Sequence, residues 1–284
     1  MTKVFVDGLL DGKVAYIAGG TRGMNLAIAK RFARYGAKVT VMSRDAERCA
    51  KAEAELKALG AQAMGLPCDA REYEQVAATI QKTVDEFGKL DLVVAGQAGN
   101  FYAPVTGMST KGFKTIVDID LVGTFNVFKA AFEHLNMPGA SLIAITAPEA
   151  VQGLHFQAHV CAAKAGVNQL VRVMAQEWGP AGVRINGISP GPIEGSWGMA
   201  NVASPNPKLV EMIRRAIPLK RWGTEEDIAD TALFLASPAS SYITGTIIET
   251  DGGVTIASPE MSRFNSIEDL HNDPRVQRKT SGKT

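Results

Sequence analysis

The chain has 284 residues, of which 46% are hydrophobic, and a formal net charge of +1 at pH 7. This length is enough to bury a large core as one doubly wound domain. Lysines and arginines are scattered, so nothing in the charge pattern indicates a nucleic-acid partner. No apolar run reaches the roughly 18 residues of a membrane helix, and no signal peptide is recognised. Three cysteines without metal-ligand spacing suit a reducing compartment, so we expect a cytoplasmic protein with no metal site and no membrane partner.

Apolar runs and helical periodicities alternate along the chain. The predicted strands are 13–18, 38–42, 62–66, 90–95, 140–146, 183–188 and 246–250. The predicted helices are 23–35, 45–59, 71–87, 109–136 (expected to be broken), 157–178, 205–216 and 224–236. This alternation predicts an α/β fold, a Rossmann-type doubly wound parallel sheet of seven strands with helices on both faces, in a single domain. We expect that domain to span 1–257, with a substrate loop at 191–218, followed by a polar, loosely held tail at 258–284.

The first strand leads into a glycine turn, Gly19 to Asn25, and then into a helix. Backbone N–H groups and the positive end of a helix dipole face the same point there, and glycines let a phosphate approach the backbone. A strand, a glycine turn and a helix in this order predict a dinucleotide site. Asn25 stands where a third glycine is usual, and we expect it to widen the helix–strand contact slightly without loss of the site.

The second predicted strand, 38–42, is followed by Ser43-Arg44, whereas an acidic residue there would bind a ribose 2′-hydroxyl. A serine followed by an arginine favours a 2′-phosphate instead, and Arg22 in the glycine turn can approach the same group. Two cations near one expected dianion predict NADPH as the cofactor. The alternative is that Arg44 is a solvated loop charge.

The fourth strand is followed by Asn100 and Phe101, at the carboxyl edge where ligands bind in such sheets. Asn100 has an amide that can donate to a carbonyl oxygen, and Phe101 can form an apolar wall. These two residues are therefore candidates for the substrate site.

Several segments together resemble the short-chain dehydrogenase/reductase family over residues 11–256. The matching segments are Gly19 to Asn25, Cys68-Asp69, Asp91 to Gly99, Gly123-Thr124-Phe125, Lys164, Ser189 to Pro192 and Tyr242 to Gly253. A narrower resemblance, to the 2,4-dienoyl-CoA reductases and especially the peroxisomal type, is carried by Ala98 to Phe101, Phe113 to Asp120, Gln157-Ala158-His159 and Glu177 to Pro180. Those enzymes use NADPH to reduce a conjugated dienoyl thioester to an enoyl thioester, and the resemblance implies an acyl-CoA substrate here.

The chain departs from carbonyl-reducing members of the family at three catalytic positions. Val160 occupies the position of the proton-donating tyrosine, Ala147 that of the serine, and Asp120 that of the asparagine, while Lys164 is retained. Valine and alanine cannot donate a proton. Reduction of an activated C=C bond instead places negative charge on the thioester oxygen and needs a later proton on carbon, which water can supply. In the resembling enzymes an aspartate and a lysine act through water, which implies that role for Asp120 and Lys164.

The resemblance and the residues together give a set of candidate site residues. The expected catalytic residues are Lys164, Asp120, His159 and Asn100, and the expected substrate contacts are Asn100, Phe101 and Trp197. The expected NADPH contacts are Gly19, Thr21, Arg22, Gly23, Met24, Ser43, Arg44, Asp69, Ala95, Gly96, Lys164, Pro190, Gly191 and Ile193.

Some alternatives remain open at this stage. Asp118 competes with Asp120, because residues two apart on a helix point about 200° apart and only one can face the lysine. His159 is either a proton donor or a helix-packing residue. Cys161 is interpreted as a small buried residue and not as a nucleophile. Five cations could hold acyl-CoA phosphates or form a charged helix face: Lys208, Arg214, Arg215, Lys220 and Arg221. The alternative functions are reduction of another enone or a ketone, and a non-catalytic NADPH-binding scaffold.

The resemblance also implies a homotetramer. Residues around 109–136 and 157–178 and the segment from Ser237 to Gly253 form the interfaces in resembling proteins. Helix 157–178 supports this, because it carries more apolar residues than one core-facing side needs.

Overall fold

A computed structural model of the chain describes residues 4–196 and 206–275. In this part of the chain, seven parallel strands form one sheet in the order β3-β2-β1-β4-β5-β6-β7. The strands are β1 Val14–Ala18, β2 Lys38–Ser43, β3 Ala63–Pro67, β4 Leu92–Ala95, β5 Ser141–Ile145, β6 Arg184–Pro190 and β7 Ile247–Thr250. The central strands β1, β4 and β5 are buried along their whole length, as expected for strands covered on both faces. The predicted α/β fold class is confirmed.

All helices except the last, which follows β7, connect consecutive strands in the manner that parallel pairing requires. The helices are α1 Gly23–Arg34, α2 Ala46–Lys57, α3 Tyr73–Phe87, α4 Thr110–Val117, α5 Gly123–Phe132, α6 Ala158–Trp178, α7 Pro207–Ala216, α8 Glu225–Ala236 and α9 Ile267–His271. Strand ends differ from the predicted ones by at most two residues. The expected break in helix 109–136 is a π-helical turn, Asp118–Val122, between α4 and α5.

The six apolar residues that were counted as a surplus on α6 are covered inside this chain. Val160, Ala163, Val167, Val171 and Met174 are all buried there. Leu170, the remaining residue of the predicted surplus, packs against the same core. These six residues therefore do not by themselves indicate an interface, because other parts of the chain cover them. The homotetramer stays a prediction.

Two compact units can be distinguished, the first formed by Met1–Pro190 and Glu225–Thr250 and the second by Gly191–Thr224 and Asp251–Thr284. In the second unit, Lys220 Nζ donates to the backbone oxygen of Met261 (2.9 Å), and Arg215 Nε donates to Asn265 Oδ1 (3.2 Å). Ser266 and Asp269 form a reciprocal capping box at the start of α9. Residues 258–275 are thus held by a helix cap and side-chain hydrogen bonds, whereas a loosely held tail was expected. The domain boundary at residue 257 stays a prediction.

The part of the chain that the structure describes contains no helix long and apolar enough to cross a membrane. Within those same residues, no group of three or more His, Cys, Asp or Glu side chains could hold a metal ion.

Candidate active site

The glycine turn after β1 leaves no room for side chains. Gly19 has φ +72°, and a Cβ atom there would lie 2.8 Å from the backbone nitrogen of Gln97. At Gly20 an added Cβ would lie 2.9 Å from the backbone oxygen of Ile17. The chain then enters α1 at Gly23, which is exposed, so the first N–H groups of the helix are open to an anion. This geometry fits the pyrophosphate of a dinucleotide.

Asn25 ties the glycine turn to the end of β4. Its Nδ2 donates to the backbone oxygen of Gly96 (2.6 Å) and to that of Gly19 (3.4 Å). A Cβ atom on Gly96 would lie 2.4 Å from Asn25 Oδ1. Asn25 thus bridges helix and sheet through hydrogen bonds, with no side chain at Gly96 between them. The sequence predicts only a slightly wider contact between helix and strand and does not predict this bridge. The signal for it is the amide side chain of Asn25 at a position where glycine is usual.

The residues expected at the 2′-phosphate lie at the end of β2 and in the glycine turn. Arg22 and Arg44 are both exposed, and Ser43 is half-buried. Asp69 is bound by Arg71, whose Nε donates to Oδ1 and whose second guanidinium nitrogen donates to Oδ2; this pair lowers the pKa of the carboxyl group, and the charge of Arg44 adds to this effect. Arg44 therefore lies near Asp69.

The other predicted cofactor contacts of the first unit lie around the same strand ends. Thr21, Ala95 and Gly96 are buried, Met24 is half-buried, and Pro190 is the last residue of β6. Their contact with NADPH stays a prediction.

Asp120 and Lys164 form a buried pair. Asp120 lies in the π-helical turn and is fully buried, and its Oδ1 accepts a hydrogen bond from the backbone N–H of Gly99 (2.8 Å). Its Oδ2 lies 3.2 Å from Lys164 Nζ, which also donates to the backbone oxygen of Ile145 (2.9 Å). Asp118 instead accepts from Lys114 Nζ at 2.6 Å on the outer side of the helix. Of the two aspartates, Asp120 is the one that faces the lysine.

The positions that carry hydroxyl groups in carbonyl reductases carry none here. Val160 is 4% exposed and belongs to the core-facing side of α6. Ala147 follows β5 and is half-buried. Neither side chain can donate a proton or a hydrogen bond.

Asn100 and Phe101 each contact a residue of the segment that begins α6. Asn100 Nδ2 donates to Gln157 Oε1 at 2.9 Å, and Gln157 is 5% exposed. The ring of Phe101 packs against that of His159, with centroids 4.2 Å apart. The structure thus brings two of the candidate residues, Phe101 and His159, together. Gln157 was not among the predicted site residues. A contact between residues 57 positions apart leaves no local signal in the sequence.

His159 is fully buried, and burial lowers the pKa of its imidazole. The nearby backbone of Gln157 and Phe101 and the charge of Asp120 oppose that shift. Among the described residues, His159 Nδ1 and Nε2, Asn100 Oδ1 and Asp120 Oδ2 are buried atoms that complete no hydrogen bond. Unpaired buried polar atoms are unfavourable, so their concentration here indicates a site for ligand or water.

The remaining predicted residues belong to the second unit. A Cβ atom on Gly191 would lie 2.5 Å from the Cα of Asp251, and Ile193 is 2% exposed. Trp197 lies outside the described residues. These cofactor and substrate contacts stay predictions.

Among the five cations proposed for acyl-CoA phosphates, Arg214 pairs with Glu211 through two bonds of 2.7 Å. Lys220 donates to two backbone oxygens, and burial together with Arg215 lowers its pKa. These contacts are intramolecular, which favours the charged-face alternative for Arg214 and Lys220.

Cys161 is half-buried beside the backbone oxygen of Gln152.

Comparisons with known proteins agree with this geometry. The family model described as Enoyl-(Acyl carrier protein) reductase matches residues 18–255. The peroxisomal 2,4-dienoyl-CoA reductase of Saccharomyces cerevisiae, named as producing (3E)-enoyl-CoA, is 38% identical over 250 residues, covering 87% of this chain and 85% of that protein. The Arabidopsis thaliana protein of the same name is 37% identical, covering 95% and 93%.

A solved structure shares the fold and contains a cofactor. It is the blue fluorescent protein from a metagenomic library in complex with NADPH, at 26% identity and a TM-score of 0.80, with 86% of this chain and 98% of that chain covered. With the glycine turn, the retained lysine and the sheet order, these matches show that the chain belongs to the short-chain dehydrogenase/reductase family.

Proposed function

We propose that this protein is an NADPH-dependent reductase of an activated carbon–carbon double bond, and specifically a 2,4-dienoyl-CoA reductase. One observation carries the proposal: Val160 and Ala147 offer no hydroxyl group, while Asp120 and Lys164 form a buried pair 3.2 Å apart. A site of this kind lacks the acid for an alkoxide but keeps charged groups that can orient water. The names of the curated relatives support the same substrate class.

The residues present fit a nicotinamide dinucleotide. The glycine turn and the N-terminus of α1 would hold the pyrophosphate, and Arg22 and Arg44 would bind the 2′-phosphate by charge-assisted bonds. Lys164, besides its ion pair with Asp120, would hold the nicotinamide ribose hydroxyls. When bound, NADPH supplies the hydride. The choice of NADPH over NADH rests on the two arginines, and the NADPH-containing relative supports it.

The chemistry requires one hydride and one proton. The δ-carbon of the dienoyl group accepts the hydride, and the displaced electron pair moves through the diene to the thioester oxygen. Asn100 would donate an N–H to that oxygen, and neutral His159 would donate a second one. Asp120 and Lys164 would hold the water whose proton forms the last C–H bond, and Phe101 would wall the acyl chain.

We also propose that the protein is a homotetramer. Exposed apolar side chains on and beside α4 and α5, rather than those of α6, support it: Phe113, Val122 and Phe125. Light scattering is expected to give a mass near four times the 30.2 kDa chain. A 30.2 kDa species at micromolar concentration would contradict the assembly.

The cellular location stays a prediction. The three cysteines are free thiols, which suits a cytoplasmic enzyme. Both curated relatives are named peroxisomal. Microscopy of a fluorescent fusion with a peroxisomal marker distinguishes the two locations.

The function is tested by following loss of NADPH absorbance with a panel of dienoyl-CoAs, enoyl-CoAs, free enones and simple ketones. We expect kcat/KM to be highest for a dienoyl-CoA. Faster turnover of an enone or a ketone would assign another reductase activity. Binding of NADPH without turnover of any substrate would indicate a non-catalytic scaffold.

A further inference from the structure

Gln157 lies at the junction between the candidate active site and α6. It is the residue before the helix, is 5% exposed, and caps no helical N–H group with its side chain. Its Oε1 accepts the hydrogen bond from Asn100 Nδ2 at 2.9 Å. The side chain therefore does not stabilise its own helix end but reaches the segment after β4.

Asn100 is held beside the Asp120–Lys164 pair from two directions. The peptide N–H of Gly99, the preceding residue, donates to Asp120 Oδ1 at 2.8 Å. The following residue, Phe101, packs against the ring of His159. The backbone of Asn100 is thus fixed by neighbours. Within the residues that the structure describes, its amide group bonds to Gln157 alone, because Asn100 Oδ1 has no partner there.

With Gln157 Oε1 pointing at Asn100, this bond sets which way the Asn100 amide faces. The terminal torsion of an asparagine is soft, and its nitrogen and oxygen exchange places by a rotation of about 180°. The carbonyl of Gln157 accepts from the nitrogen and would repel the oxygen. One N–H of Asn100 is consequently bonded to Gln157. Because the amide group is planar, this bond also fixes the direction of the second N–H.

We propose that Gln157 is a positioning residue, whose carbonyl orients Asn100 so that the second amide N–H polarises the thioester carbonyl of the substrate. The proposal rests on the proposed dienoyl-CoA reduction and adds a residue to it. Misalignment of a donor removes most of its effect on a developing oxyanion, because the stabilisation depends on a preorganised direction.

The test compares three variants on the same dienoyl-CoA. Gln157→Met keeps the volume and removes the acceptor, whereas Gln157→Glu keeps an acceptor at the same reach. Gln169→Met makes the same change on the exposed side of α6 and serves as the matched control. We expect Gln157→Met to lower kcat by about 10- to 100-fold, with KM and the Kd for NADPH within about threefold of wild type. Gln157→Glu is expected to retain more of kcat than Gln157→Met, and Gln169→Met all of it.

A double-mutant cycle with Asn100→Ala separates positioning from general support of the fold. If Gln157 acts through Asn100, Gln157→Met causes no further loss of kcat in the Asn100→Ala background. Full additivity of the two losses, or wild-type kcat in Gln157→Met, overturns the proposal. Should Gln157→Met not fold, Gln157→Asn withdraws the carbonyl by one methylene and enters the same cycle. Absence of wild-type activity on every dienoyl-CoA overturns the proposed function and this inference together, whereas an active wild type with an additive cycle overturns the inference alone.

Discussion

Asp120 Oδ2 lies 3.2 Å from Lys164 Nζ, and the two side chains are 0% and 6% exposed. The π-helical turn Asp118–Val122 carries this aspartate, and such turns are frequent at functional sites. A lone charge at either position would be unfavourable because both side chains are buried. The pair thus keeps two charges in the interior next to atoms that lack hydrogen-bond partners.

The catalytic importance of this pair can be tested against a surface pair in the same helix. We expect Asp120→Ala to lower kcat by about 10²–10⁴, because a positioned acid–base group is lost, and to leave the Kd for NADPH nearly unchanged. Lys164→Ala is expected to abolish turnover, since it removes the ribose contact as well. Asp118→Ala breaks the exposed Lys114–Asp118 pair and is the control. Equal losses in Asp118→Ala and Asp120→Ala would assign the effect to the helix and not to the site.

The same pair predicts that substitutions of its two residues have non-additive effects on the free energy of unfolding. Removing one partner leaves an uncompensated buried charge, so Lys164→Met is expected to lower the free energy of unfolding by about 3–5 kcal/mol. Addition of Asp120→Asn removes that charge while the amide can remain near Gly99, and should recover part of the loss. Urea denaturation of the two single variants and the double variant measures this. A double variant as unstable as the sum of the singles would show that the two charges do not interact.

Cofactor choice depends on Arg44 and Arg22. Each charge-assisted bond to the 2′-phosphate contributes about 1.5–3 kcal/mol, so Arg44→Asp should raise the Kd for NADPH by about 10- to 150-fold. The Kd for NADH should change little, because NADH lacks that phosphate. Lys51→Asp makes an equal change of charge on the exposed side of α2 and is the control. Fluorescence titration gives both constants, and equal wild-type affinity for the two cofactors would contradict the assignment.

Much of this structure could be predicted from local patterns in the sequence. Three features are local in the chain: the alternation of strands and helices, the glycine turn and the replacement of a phenol by Val160. The structure has the predicted strands and helices. The resemblance assigns the catalytic role to Asp120 with Asp118 as the alternative, and the structure places Asp120 against Lys164 and Asp118 against Lys114.

Other features depend on contacts between distant residues. The bond from Asn100 to Gln157 and the bridge from Asn25 to Gly96 each join segments more than fifty residues apart. The apolar excess of α6 was misinterpreted because periodicity counts residues on a helix but not the elements that cover it. Residues 258–275 were misjudged because their polar side chains bind one another and the rest of the second unit, as Asn265 does with Arg215.

Stability should depend on pH through His159. Burial lowers the pKa of the folded-state imidazole below its ordinary value of about 6.5. As the pH falls below about 6.5, the unfolded chain binds a proton that the folded protein resists, so the free energy of unfolding decreases until the folded-state pKa is reached. His159→Phe should flatten the curve in this window, whereas His155→Gln, at an exposed position, should not. Urea midpoints measured across about pH 5.5–7.5 test this prediction. Parallel pH curves for wild type and His159→Phe would contradict it.

The absence of a phenol can be tested by restoring it. Val160 is 4% exposed, so Val160→Tyr overfills its surroundings and should lower the free energy of unfolding by about 1–3 kcal/mol. We expect no gain in dienoyl-CoA reduction, because water supplies the proton, and at most weak ketone reduction, because Ala147 provides no second donor. Val160→Phe adds nearly the same volume without the hydroxyl group, so any activity seen only in Val160→Tyr belongs to the phenol. If wild-type protein reduces simple ketones faster than dienoyl-CoA, the acid must be another group, His159 first among them, and the site is a rearranged carbonyl reductase.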